Sequence, residues 1–338
     1  MQAAFVKSPY QYDCREVPIP EVKPGWALVK VDSCGICGSD MHIARSEASD
    51  WSGFGHEIAG VVAAIGVGVS NVKEGDSVTL ESSSFCGTCD VCRNGRVDLC
   101  RNAPNFWRAD SMGFAEYILA PQQCLVPFAG LSFEVACLAE PLGVALDVIN
   151  TADIQLGDDV LILGLGPIGL MTIALARLKG AGRVYAANRS GGRRLDVARA
   201  FGAHEVFSTG GADSAPIDAS RFRKGGVERA VVSAPPSTIA ATFDALRFGG
   251  VIAYIGIEYG DGARISFDAN AFHFKKLQLR ASHATPALYY PIVLQLLKDR
   301  YVDGEAMISH VMPLERIAEA MTILRNSGDE VLKIVIKA

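Results

Sequence analysis

The stretch Asp159-Val160-Leu161-Ile162-Leu163-Gly164-Leu165-Gly166-Pro167-Ile168-Gly169 decides the architecture of this chain. An acid precedes four consecutive apolar residues, three closely spaced glycines follow, and an apolar run then continues to residue 178. A strand buried on both faces of a parallel sheet reads as such an unbroken apolar run. A glycine turn between that strand and an apolar helix is where the pyrophosphate of a dinucleotide sits. Gly164 permits the tight turn, Gly166 the close approach of backbone to phosphate, and Gly169 the packing of helix on strand. The helix expected over 168–178 aims its unpaired N–H groups and positive dipole end at the phosphates. Gly164, Gly166, Pro167, Ile168 and Gly169 are therefore expected to bind a cofactor. The alternative is a glycine-rich core turn with no ligand.

Working outward, strands are expected over 184–187, 205–207, 230–233, 251–255 and 277–282, with helices over 193–201 and 238–248. Strand and helix alternating at this spacing imply right-handed crossovers and a parallel sheet. Segment 210–226 is polar and glycine-punctuated, and reads as a loop with a short helix. The first 80 residues read differently, as short strands and turns, with strands over 26–31, 58–65 and 77–80; another is expected over 113–119. After residue 282 come helices over 287–297 and 314–324 and a last strand over 331–336. The fold class is α/β: a mainly-β domain from 1–147 and 282–338, and a doubly wound parallel-sheet domain from 148–281.

The end of the second sheet strand bears on the choice of cofactor. An NAD site usually places an acid there, about twenty residues beyond the glycine turn, to accept from the ribose hydroxyls. This chain has Asn188-Arg189-Ser190, with Arg193 at the start of the next helix. Asn188 brings no negative charge, and a guanidinium matches a 2′-phosphate. The reading favours NADP over NAD, with Asn188, Arg189, Ser190 and Arg193 in the cofactor site; arginines at a solvated helix start are the alternative.

Cys86, Cys89, Cys92 and Cys100 fall within fifteen residues, spaced x2, x2 and x7. Four thiolates at this spacing close a tetrahedral shell around one structural zinc. Disulfides are the rival, and the spacing fits an iron–sulfur cluster poorly. Cys37 and His56 lie upstream. One thiolate and one imidazole supply two of the three protein ligands of a catalytic zinc, and Asp40 can orient a ligand from behind.

Taken together, Gly35-Ile36-Cys37-Gly38-Ser39-Asp40, Gly55-His56-Glu57, Gly75-Asp76-Ser77-Val78, the four-cysteine cage, Gly113-Phe114-Ala115-Glu116-Tyr117, Glu140-Pro141-Leu142 and the glycine turn run in order from end to end. In these motifs the whole chain resembles the zinc-containing medium-chain dehydrogenase/reductase superfamily, in its sorbitol-dehydrogenase-like polyol and sugar branch. The resemblance implies a GroES-like mainly-β catalytic domain and a Rossmann domain. It implies Cys37 and His56 as ligands of the catalytic zinc with Glu140 as the third, and Glu57 ligating directly or alternating with water. Ser39 matches the hydroxyl that touches the reacting oxygen, and His42 the far end of a proton relay.

The implied activity is hydride transfer between a nicotinamide and a secondary alcohol or ketone of a polyol, cyclitol or sugar-derived substrate. The implied assembly is a homodimer or homotetramer, with strand 277–282 pairing across a two-fold axis. The Cys37-to-His56 gap is shorter than is usual in the family. Ser282-His283-Ala284-Thr285-Pro286 stands where sorbitol-type relatives place an Arg-Tyr pair. Trp51, Phe106, Trp107, Arg108 and His283 are the pocket candidates. The competing class is a catalytically silent zinc- and nucleotide-binding protein of the same fold, kept for interaction or regulation.

With 338 residues, 49% of them hydrophobic and 20% charged, the chain can bury a large core. Net charge is −5 with no basic run, which leaves nothing for a nucleic-acid surface to build on. The most apolar stretch, 160–176, is short and glycine-broken for a membrane span. Nine cysteines, four in metal-type spacing and the other five scattered without pairing logic, with no signal-peptide pattern, point to a reducing cytoplasm.

Overall fold

A computed structural model describes residues 1–107, 112–210 and 217–338. The chain forms two compact units, Met1–Gly143 with Thr285–Ala338, and Val144–Ala284.

The second unit is built on a six-stranded parallel sheet. In space its strands run Glu205–Ser208, Arg183–Asn188, Asp159–Leu163, Val227–Val232, Leu246–Tyr254, Gln278–Ala281. Numbered along the chain this is the order 3-2-1-4-5-6 of dinucleotide-binding sheets. All five residues of Asp159–Leu163 are buried, so the strand is covered on both faces. The helix Pro167–Leu178 follows with Pro167 in its first turn, where the missing N–H costs nothing. Its residues from Gly169 to Ala176 are all buried; each of Leu170, Ile173 and Leu175 contributes about 1.5–3 kcal/mol by leaving water.

One expected element is not there. Residues 238–248 do not form an α-helix; the 3-10 turns Pro236–Thr238 and Ala240–Thr242 occupy the region, and the strand Leu246–Tyr254 has begun by its end. Pro235 and Pro236 start the segment without donors. The bonds that follow reach only three residues back, from Thr242 N to Ile239 O and from Ala245 N to Thr242 O, and the Thr242 hydroxyl also donates to Ile239 O. Such side-chain competition disfavours a regular helix. The helix expected from 314 opens as a 3-10 turn before Ile317–Asn326, and the one expected from 287 begins at Tyr290. Part of the expected loop 210–226 lies outside the described residues.

In the first unit a seven-stranded sheet is centred on Trp26–Gly35. That strand pairs antiparallel with Glu57–Ile65, Tyr117–Pro121 and Lys333–Lys337. Gly35, at its end, stands opposite both Glu57 and Val335. Chain positions some 300 residues apart thus meet at one sheet end, and Cys37 follows two residues on. A smaller three-stranded sheet carries Gln2–Lys7 and Gln11–Glu16.

Candidate active site and metal centres

Cys37 caps the short helix Gly38–His42. Its backbone N–H donates to Asp40 Oδ2 at 2.8 Å, and the N–H of Gly55 donates to Asp40 Oδ1 at 3.2 Å. The fully buried Asp40 therefore ties together the two loops that carry Cys37 and His56. The same carboxylate lies 3.8 Å from His56 Nδ1, and His56 Nε2 lies 4.0 Å from Glu140 Oε1. One ligand atom each from Cys37, His56 and Glu57 falls within 4.8 Å of the others.

Lys333 joins this group, and nothing in the motifs foretold it. Its Nζ donates to both oxygens of Glu57, at 2.6 and 2.7 Å, and to Ile36 O at 2.9 Å. Both partners are buried. The sheet register explains the meeting: Lys333 lies two residues before Val335 on the same face. Gly35 makes room, because a Cβ there would sit 2.1 Å from Glu57 Oε2. A lone lysine opening an apolar terminal strand was the signal available, since a buried cation demands a buried anion.

Burial first, and then Glu57's charge, push the Cys37 thiol up to about 11. Burial pushes the Glu140 carboxyl up to about 8, with His56 opposing. Burial also acts to lower the Lys333 ammonium, but Glu57 outweighs it and holds Lys333 above its ordinary range. Anionic ligands that are costly to ionise in isolation are what a bound dication stabilises. His56 turns Nδ1 toward the Asp40 carboxylate and Nε2 toward Glu140, which leaves Nε2 as the nitrogen on the side of the other donors. The donor set of thiolate, imidazole and carboxylate fits zinc in a three-ligand site with an open position.

The four cage cysteines also converge. Cys86 Sγ lies 4.0 Å from Cys92 Sγ, and Cys89 Sγ lies 4.0 Å from Cys100 Sγ. A zinc tetrahedron with arms of about 2.3 Å has edges of about 3.8 Å. None of the nine cysteines is in a disulfide. The N–H groups of Cys86 and Cys89 donate to sulfurs of Cys100 and Cys86, both at 3.3 Å. Bonds from the Thr88 hydroxyl and backbone hold the Cys86 thiol down to about 6, while burial pushes Cys92 up to about 12, so the cage as a whole needs a cation to hold four thiolates together.

Of the pocket candidates, Trp107 lies beside His56, ring centres 5.1 Å apart. Phe106 is fully buried in the core of the first unit. Trp51 sits under the Arg15 guanidinium, 4.6 Å away. His283 is exposed in the second unit. Arg108 lies outside the described residues.

At the glycine turn, Gly164 has φ +93° and Gly169 packs so closely that a Cβ would sit 1.8 Å from Gly164 O. A Cβ on Gly166 would meet nothing within 4 Å, so the space over that turn is open to a ligand. Asn188 is largely buried and its amide is already engaged: Oδ1 accepts from Leu165 N and Nδ2 donates to Ser190 O, each at 3.2 Å. It braces the glycine turn against the next loop, a role the spacing alone did not suggest. The neighbouring Arg189 is fixed through its backbone, its carbonyl accepting from Ser208 Oγ at 2.8 Å.

Comparison with known proteins agrees with this architecture. Residues 23–130 match the alcohol dehydrogenase GroES-like domain, and residues 167–299 match the zinc-binding dehydrogenase family. An L-threonine 3-dehydrogenase of Saccharopolyspora erythraea is 33% identical over 323 residues, covering 92% of this chain and 91% of its own length. The sorbitol dehydrogenase of Bacillus subtilis is 28% identical over 346 residues, covering 99% and 97%. A solved Sinorhizobium meliloti 1021 structure bound to NADP superposes with a TM-score of 0.85 at 26% identity, over 100% and 99% of the two chains. The chain belongs to the zinc-containing medium-chain dehydrogenase/reductase family. It is an oxidoreductase with a GroES-like unit and a Rossmann unit, working with a nicotinamide cofactor.

Proposed function

We propose that this enzyme interconverts a secondary alcohol and its ketone on a polyol, cyclitol or sugar-derived substrate, with NADP(H) preferred. The observation that carries the reading is the convergence of half-buried Cys37 with buried His56 and Glu57 within 4.8 Å, with Glu140 4.0 Å from His56. Cys37, His56 and Glu140 are the residues that would hold a catalytic zinc. Glu57 is occupied by Lys333 through both oxygens and stands in reserve. Bound there, zinc supplies a Lewis acid that polarises the reacting oxygen, and the nicotinamide supplies the two-electron acceptor. The cage at Cys86, Cys89, Cys92 and Cys100 would hold a second, structural zinc.

The chain's own residues handle the proton. Ser39 and His42 sit three apart on one short helix and therefore share a face. Ser39 takes the proton from the substrate hydroxyl and His42 passes it outward. Trp107 offers an apolar wall beside His56 for the carbon skeleton.

Preference for NADP follows from charge. Asn188 brings no carboxylate to repel a 2′-phosphate, and its amide is held by Leu165 and Ser190. Arg189 and Arg193 supply cations next to it. A charge-assisted bond is worth about 1.5–3 kcal/mol, on the order of ten- to a hundredfold in affinity. A homodimer or homotetramer through the edge strand Gln278–Ala281, and a cytoplasmic location, complete the reading.

The test is a panel of polyols, inositols, sugar alcohols and L-threonine, offered with each nicotinamide and followed by reduced-nicotinamide absorbance. Turnover of a polyol-type substrate with a lower KM for NADP is expected, and Asn188→Asp with Arg189→Leu reverses the cofactor order. Turnover of L-threonine alone would overturn the substrate class, and equal or better use of NAD would overturn the cofactor preference.

A further inference from the structure

We propose that Glu47 is a positioning residue for His42, holding the imidazole with its proton on Nε2 and steadying the cation formed when Nδ1 takes up the relayed proton. This rests on the relay role of His42 proposed above. The helix Gly38–His42 does not continue as an α-helix: Ile43–Glu47 winds as a π-helix, and Ala48 N donates to Ile43 O, five residues back, at 3.1 Å. In an α-helix, residues five apart diverge by about 140°. The wider turn brings them back to one side, and such turns gather at functional sites. His42 and Glu47 are five apart, and Glu47 Oε2 stands 3.7 Å from His42 Nε2.

The turn is clamped in place. Ala44 and Ala48 are buried. The Ala44 carbonyl accepts from Tyr10 N at 2.7 Å, and the Ala48 carbonyl from Ser8 N and Ser8 Oγ, both at 2.8 Å. The other charged and titratable groups around it have partners. Lys7 reaches Asp50 at 3.5 Å, Tyr10 lies under the Arg325 guanidinium at 4.6 Å, Asp40 binds the N–H groups of Cys37 and Gly55, and Arg45 lies within the same turn. Glu47 is 63% exposed against 15% for His42, so its carboxylate links a sheltered imidazole to water.

The proton balance is simple. The proton leaving the substrate hydroxyl arrives at Nδ1, the ring becomes a cation with its Nε2–H directed at Glu47, and one proton then returns to water. Which ring nitrogen carries the proton is set by the bond the other nitrogen makes.

Two measurements test the proposal. Nitrogen-15 NMR of the full-length protein, with His42 assigned from His42→Gln, should show the Nε2–H tautomer in wild type and its loss in Glu47→Leu. Turnover by Glu47→Leu, with a substrate active in the panel, should fall about two- to fivefold, the scale of an exposed ion pair, with KM unchanged. Glu47→Asp should recover part of the loss, and added salt should lower wild type toward the variant. An identical His42 tautomer in wild type and Glu47→Leu overturns the proposal. Full turnover by His42→Gln overturns the relay instead, a failure the NMR result tells apart.

Discussion

The cage at residues 86–100 draws its four donors from fifteen consecutive residues, whereas the cluster around Cys37 gathers Cys37, His56, Glu57, Glu140 and Lys333 from nearly the whole chain. The cage lies near the surface, and its sulfurs receive N–H and hydroxyl bonds from their own loop. In the other cluster His56, Glu57 and Lys333 are buried, and the Glu57 charge is balanced by a lysine from a different strand. A local cage can fold around its metal with little help from the rest of the protein. A buried mixed-charge site exists only when the surrounding sheet is complete, because each ion in it is costly without its partner.

The contrast breaks most sharply in activity. Cys37→Ser or His56→Ala should lower turnover by about a thousandfold or more, the scale of a lost Lewis acid. Nucleotide binding, measured by fluorescence, should survive, since the glycine turn belongs to the other unit. Loss of both together in a folded protein would contradict the division of labour. Cys89→Ser should remove one zinc per chain and loosen residues 86–100 in hydrogen exchange while hydride transfer continues at reduced rate. An unchanged zinc content would remove the cage's role.

Lys333→Met tests the other half of the comparison. It strands a buried Glu57 carboxylate and should cost about 3–5 kcal/mol in urea unfolding. Adding Glu57→Gln should recover part of that, because the pair is then replaced rather than broken. A single variant as stable as wild type would mean that Glu57 finds another partner.

The smallest expected effect lies at the root of the cage, where Glu81 is buried and burial lifts its carboxyl to about 7, with a bond from Ser84 opposing. A raised carboxyl favours folding fully below its unfolded value of about 4.3, and that contribution is lost as pH rises through about 7. Glu81→Gln should flatten the fall in stability between those limits, by up to about 3 kcal/mol. Equal pH dependence in both proteins would show that Glu81 stays charged throughout.

Much of the fold was legible because its signals are local. The strand Asp159–Leu163, the turn at Gly164 and the helix Pro167–Leu178 each announce themselves within a few residues. The helix expected over 238–248 was misread because its apolar spacing does not reveal that Pro235, Pro236 and the Thr242 hydroxyl favour three-residue turns. That Phe106 is fully buried was not legible either, since exposure is a property of the folded neighbourhood.

By itself the sequence determined the class of the protein: the order of motifs, the glycine turn, the four-thiol spacing, and the candidates Cys37, His56 and Glu140. The glycine turn and the four-thiol spacing follow from chemistry encoded at short range, whereas Glu140 came only with the resemblance that the ordered motifs carry. Only the tertiary structure decided that Lys333 closes on Glu57, that Asn188 braces Leu165 and Ser190, and that a π-turn carries Glu47 to His42. These depend on sheet register, on backbone turns that spacing does not disclose, and on which polar groups burial leaves in need of a partner.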